Sequence, residues 1–122
     1  MFGKKDWFFP DGDRPPFGDS EMKGHESYVV LNPNNQDANI SVTFYFEDKE
    51  PVTDIKITVK SNRVFCFQTH NPEHFGGHII PVATQYAAKF ESDSPVIIQY
   101  GRLDSRQANL AYYTTMGYPG DN

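Results

Sequence analysis

The sequence predicts an all-β antiparallel domain, a sandwich or a barrel, on three observations. The large apolar residues are weighted toward rings, with ten Phe, seven Tyr and one Trp beside nine Gly and nine Pro. That mixture favours strands and turns over helices. Apolar residues then alternate with polar ones in short runs, the mark of half-buried strands. Finally, turn signals recur about every 8–12 residues, enough for about eight or nine short strands. The 122 residues fit one domain, 1–122, able to bury roughly two-thirds of the surface its unfolded chain exposes.

Each element follows in order. Residues 1–23 mix aromatics with Pro and Gly, and Pro10-Asp11-Gly12 reads as a turn. Trp7, Phe8, Phe9 and Phe17 would cost about 1.5–3 kcal/mol each if left in water, so this segment is expected to pack across the domain. "HESYVVLN" is a strand stopped by Asn32-Pro33-Asn34-Asn35. "ANISVTFYF" puts Ile40, Val42, Phe44 and Phe46 on one face, and Glu47–Pro51 is a charged turn. "TDIKITVKS" alternates through Ile55, Ile57 and Val59, and "RVFCFQT" follows. Residues 70–78 form a loop, "IIPV" a short strand, and "TQYAAKFES" a strand rather than a helix, because Pro81 and Pro95 leave little room. "PVIIQYGRLD" and "NLAYYTTM" are strands, and 118–122 is a loose tail.

The net charge of −5 opposes nucleic-acid binding, which needs a basic face. Cys66 is the one cysteine, so no intrachain disulfide forms and a reducing compartment is the simple reading. It is expected in the core of an aromatic strand rather than as a nucleophile. No secretory signal and no apolar run long enough to span a membrane is visible, so the expected location is cytoplasmic.

Several constellations could carry chemistry. His70, His74 and His78 lie four apart; Pro72, Gly76 and Gly77 exclude a helix, but a loop could bring them together on a metal. That is an alternative only, since no established metal pattern supports it. Glu47 and Asp48 are read as a solvated turn. Neither a nucleophile elbow nor a phosphate loop is present, and nothing calls for a cofactor. In "GRLDSRQ", alternation puts Arg102, Asp104 and Arg106 on one side and Leu103, Ser105 and Gln107 on the other. The three charges suit either an ion network or a ligand site. Trp7 with Asp11, Asp13 and Arg14 offers a ring and acceptors of the kind a sugar site uses, or an anchor for the first strand.

The blocks "WFFPDGDRPPFG", "HESYVVLNPNNQDANISVTFYFEDKEPV" and "SPVIIQYGRLDSRQANLA", in that order, resemble the sensory rhodopsin transducer family over about residues 7–112. The likeness is weakest from His70 to Ala83. The resemblance implies an antiparallel β-sandwich of jelly-roll type and a bacterial, soluble homotetramer. It further implies binding of a small molecule, a sugar or related metabolite, and signal transduction, in the namesake through a membrane photoreceptor, without established catalysis. Its motif positions here include Trp7, Asp11, Gly12, His25, Glu26, Asp48, Lys49, Glu50, Arg102, Asp104, Ser105 and Arg106. The expected function is therefore non-enzymatic ligand binding or transduction. The expected ligand-binding residues are Trp7, Asp11, His25, Glu26, Arg102, Asp104 and Arg106, with Trp7 as roof. A metal-assisted sugar-modifying enzyme and a protein-interaction or DNA-linked regulator are the alternatives.

Overall fold

The computed structural model describes residues 1–106 and 110–120. Gln107 and the last two residues of the expected tail lie outside them. The alternating runs become eight strands among these residues: β1 (Lys4–Asp13), β2 (His25–Asn32), β3 (Ala38–Phe46), β4 (Val52–Val59), β5 (Arg63–Gln68), β6 (Gln85–Asp104), β7 (Ala111–Met116) and β8 (Tyr118–Pro119). All their pairings are antiparallel. The arrangement is an unclosed all-β sandwich whose two layers share one long strand.

That strand is β6. Its first half pairs with β3 and β1 in a layer ordered β4-β3-β6-β1-β8. Its second half pairs with β2 and β7, and β2 pairs onward to β5. The two strands expected around Pro95 are thus one strand of 20 residues. Pro95 is tolerated because it falls between ladders: pairing with β3 ends at Ser92 and pairing with β2 begins at Ile97. Ser92 Oγ donates to the Ser94 carbonyl at 2.6 Å in the same interval, and Asn34 Nδ2 donates to the Pro95 carbonyl at 2.7 Å.

The inner faces of the layers meet in an aromatic core. Phe9 and Phe90 from one layer pack on Tyr28 from the other, with ring centroids 5.1 and 5.0 Å apart. Phe44 and Tyr86 cross edge to face at 5.6 Å. Such contacts add to the area buried by each ring.

Four local expectations are corrected. Pro10-Asp11-Gly12 is no turn but a register shift within β1, between Phe9 and Gly12. "IIPV" is not a strand; Ile80 is buried and its N–H donates to the Thr69 carbonyl at 3.1 Å. Cys66 is exposed rather than buried, because it lies on the face of β5 opposite the buried Phe67, and among the described residues β5 pairs only with β2. Tyr118 and Pro119 are no loose tail; they pair with Phe8 and Trp7 of β1.

Candidate functional site

The inner face of the second layer carries its polar residues at one end. Glu26 pairs with Arg102, and Arg102 pairs with Tyr113. Alternation therefore aligns the three side chains in one row on the face that holds Tyr28 and Tyr100. Glu26 is completely buried. A buried carboxylate needs hydrogen-bond donors in place of water, and Glu26 has four. Tyr86 and Thr69 donate to Oε1 at 2.6 and 2.7 Å, while the Asp13 backbone N–H, at 3.3 Å, and the Tyr100 hydroxyl donate to Oε2. Tyr28 joins through the Tyr86 hydroxyl at 3.0 Å. Burial, then the nearby Glu26 charge, pushes the Tyr100 and Tyr28 phenols well above the usual tyrosine range. For Tyr86, burial and then Tyr28 do the same. These hydroxyls stay protonated and act as fixed donors.

Gly12 lies opposite Tyr86 in the ladder. A Cβ at this position would lie 2.3 Å from Tyr86 Cζ, so the missing side chain lets the phenol reach Glu26.

Arg102 closes the row. Its guanidinium donates to the Asp13 carbonyl at 3.1 Å and to the Tyr113 hydroxyl, and lies over the Tyr113 ring at 4.7 Å. The Asp13 carboxylate is 3.8 Å away. Asp104 and Arg106 form a separate fork: Arg106 Nε reaches both carboxylate oxygens at 3.0 Å, and its backbone N–H a third time at 3.0 Å. Hydrogen bonds from Arg106 hold the Asp104 carboxyl below the usual range. The alternation expected here is present, since Leu103 and Ser105 are buried on the opposite side.

Beside Arg102 a cleft of about 410 Å³ opens between β1 and β7–β8. Phe9, Tyr100, Tyr113 and Tyr118 supply rings; Asp11, Thr114 and Thr115 supply polar groups. Asp11 is exposed, and its carboxylate accepts from Gln85 Nε2 at 3.0 Å. The volume and the mixture of rings with a few polar groups match small-molecule sites. A mainly apolar hollow of about 380 Å³ adjoins it across Phe9, Pro10 and Tyr118.

The sequence-predicted site residues therefore divide. Asp11 lines the cleft, and Arg102 braces its Tyr113 wall. Glu26 stands behind it, bonded to the hydroxyl of the Tyr100 floor. Trp7 is elsewhere: its indole is buried and its N–H donates to the Val96 and Lys4 carbonyls at 3.0 and 3.1 Å. It anchors β1 and roofs nothing. His25 points to the other face of β2, by odd–even parity with Glu26, and packs 6.1 Å from His70. Asp104 and Arg106 satisfy each other outside the cleft lining. The three loop histidines do not converge. His70 lies against Phe17, His74 lies edge-on to Phe65 with Nδ1 accepting from the Gln68 N–H, and His78 is exposed. Among the described residues no group of three or more His, Cys, Asp or Glu is placed to hold a metal.

Sequence reasoning missed Thr69, Tyr86, Tyr113, Thr114, Thr115 and Tyr118. A usable signal existed for Tyr86: a phenol at an inward-facing strand position needs a partner for its hydroxyl, and Glu26 was the inward-facing acceptor.

The family model described as Anabaena sensory rhodopsin transducer matches residues 2–119. The chain belongs to this sensory rhodopsin transducer family. A crystal structure titled Thermotoga maritima 1070 is similar at 30% identity and a TM-score of 0.87, covering 99% of this chain and 98% of that one. The Anabaena sensory rhodopsin transducer is similar at 32% identity and a TM-score of 0.75, over 88% and 95%. No curated protein matches the chain. The family is one of transducer-type proteins, and no helix among the described residues is long and apolar enough to cross a membrane.

Proposed function

We propose that this member of the family is a non-enzymatic, cytoplasmic ligand-binding transducer. It takes a small polyhydroxylated molecule, a sugar or related metabolite, in the cleft between β1 and β7–β8. The observation that carries this reading is the cleft lining. Tyr113 and Tyr118 offer exposed faces for the apolar side of a sugar ring above the buried Tyr100 floor, while Asp11, Thr114 and Thr115 offer hydrogen bonds to hydroxyls. Arg102 and Glu26 hold the Tyr113 and Tyr100 walls in place, so the site needs little ordering on binding. A homotetramer, expected from the family resemblance, would set the cleft beside a subunit contact, because β7 and Tyr118 are exposed. The ligand state would then be read by a membrane receptor or another signalling protein. The name of the Anabaena relative, a sensory rhodopsin transducer, supports a partner of that class.

Calorimetric titration with neutral sugars, sugar acids and sugar phosphates tests the reading. At least one class is expected to bind, and Asp11→Asn with Thr114→Val is expected to weaken that binding about tenfold or more without loss of fold. Failure of every class to bind the folded oligomer would overturn it.

A further inference from the structure

We propose that residues 14–24 form a strap that the His70 imidazole keeps shut at neutral pH and releases in acid. The strap leaves β1 after Asp13 and returns to β2 at His25. It covers the outer face of the end of β6, where Leu103 and Ser105 are buried. It is tied at both ends: the Arg14 carbonyl accepts from the Ala83 N–H at 2.8 Å, Arg14 Nη1 donates to the Ile80 carbonyl at 2.7 Å, and His25 Nδ1 lies 2.9 Å from the Lys23 carbonyl. The Phe17 carbonyl accepts from the Gly24 N–H and from Ser105 Oγ, both at 2.8 Å.

His70 sits at the seam. The Phe17 ring meets it edge to face at 5.4 Å, the His25 ring is 6.1 Å away, and the Arg14 guanidinium lies over Phe17 at 5.5 Å. The titratable groups acting on His70 are Arg14 from the strap, His25 from β2 and His74 from its own loop; each is a cation when charged. Glu26, next to His25 in the chain, faces the other side and is taken up by Thr69, Tyr86 and Tyr100. Asp19, Glu21 and Lys23, on the strap itself, are exposed. His70 Nδ1 and Arg14 Nε are both shut off from solvent without a hydrogen-bond partner. A proton on His70 Nδ1 would thus add a partly buried cation near the Arg14 guanidinium, with no acceptor for that N–H.

The direction follows from that. Burial, then Arg14, His25 and His74, lowers the His70 pKa in the closed state, whereas a released imidazole titrates near the ordinary ~6.5. The open state binds the proton more tightly, so acid favours opening, and closure is complete only above the released value. Since Asp13 holds Arg102, opening slackens the Arg102–Tyr113 wall. This last consequence rests on the functional reading above; the opening itself does not.

Amide hydrogen exchange at pH 7.5 and 5.0, corrected for intrinsic rates, tests the proposal. Strap amides are expected to open more often in acid, by up to roughly tenfold for each unit separating the closed and released pKa values and at most about 30-fold at pH 5.0. Those of β3 and β4 are expected to be unchanged, and His70→Gln to remove the response. A pH-independent strap, or an unaltered response in His70→Gln, overturns the proposal. If that variant does not fold, an NMR titration of His70 in the native chain decides: a pKa at or above ~6.5 overturns it. None of these outcomes depends on whether the cleft binds a sugar.

Discussion

A carboxylate with no exposed surface is stable only where donors replace water, and Glu26 collects three hydroxyls and one amide N–H. The substitutions around it should not cost the same. Glu26→Ala leaves the buried Thr69 and Tyr100 hydroxyls without their acceptor and Tyr86 with Tyr28 alone, and is expected to lower the unfolding free energy by about 3–5 kcal/mol. Tyr86→Phe removes one donor while Thr69, Tyr100 and the Asp13 amide remain, for about 1–2 kcal/mol. Gly12→Ala touches no polar group, yet its methyl must displace the Tyr86 ring, at about 1–3 kcal/mol. Urea unfolding checks the order. Equal losses for Glu26→Ala and Tyr86→Phe would mean that Glu26 does not organise the cluster.

At the scale of the element, β6 decides most of the architecture, and its charged end does two different jobs. Arg102 has a side chain 15% exposed and holds both Asp13 and Tyr113, whereas Arg106 is 54% exposed and, among the described residues, holds Asp104. Arg102→Ala is expected to cost about 1–3 kcal/mol, and Arg106→Ala less than about 1 kcal/mol, diminishing in salt. Thermal unfolding at low and high salt separates them; a larger loss from Arg106→Ala would mean the fork, not Arg102, ties the strand end. Legibility also varies by element. β2, β3 and β4 could be read to within a residue or two because one buried face enforces strict alternation. β6 could not be read as one strand, since Pro95 signals a break and only the change of layers makes it harmless. The edge position of β5 was equally hidden: Val64, Phe65 and Cys66 look like core residues, and nothing local says that no strand covers them. In the candidate site, the charged motifs lead to the Glu26–Arg102 end, beside the cleft. The uncharged Tyr and Thr lining of the cleft comes together only when β8 returns to β1.

For the whole molecule, charge is distributed in a way that bears on assembly. The chain carries a net charge of −5, yet Leu110–Gly120 contains no charged residue. Leu110, Tyr112, Tyr113, Met116 and Tyr118 in that stretch are all at least 40% exposed. Among the described residues β7 pairs only with β6, and its second edge has no strand partner there. Soluble chains usually blunt such an edge with charge, Pro or a bulge, and within Ala111–Met116 none of the three is present. Apolar tyrosine-rich surface beside a free edge is what a second copy covers. Under the homotetramer proposed above, placing a like charge on every copy should open this contact. Tyr112→Glu with Tyr118→Glu is expected to shift the mass seen by light scattering toward smaller species while leaving the strand signal in circular dichroism intact. The same pair at Lys56→Glu and Thr58→Glu, on the polar outer side of β4, should leave the mass unchanged. If both pairs leave it unchanged, the β7–β8 surface is not the subunit contact, and the cleft beside it must bind its ligand within a single subunit.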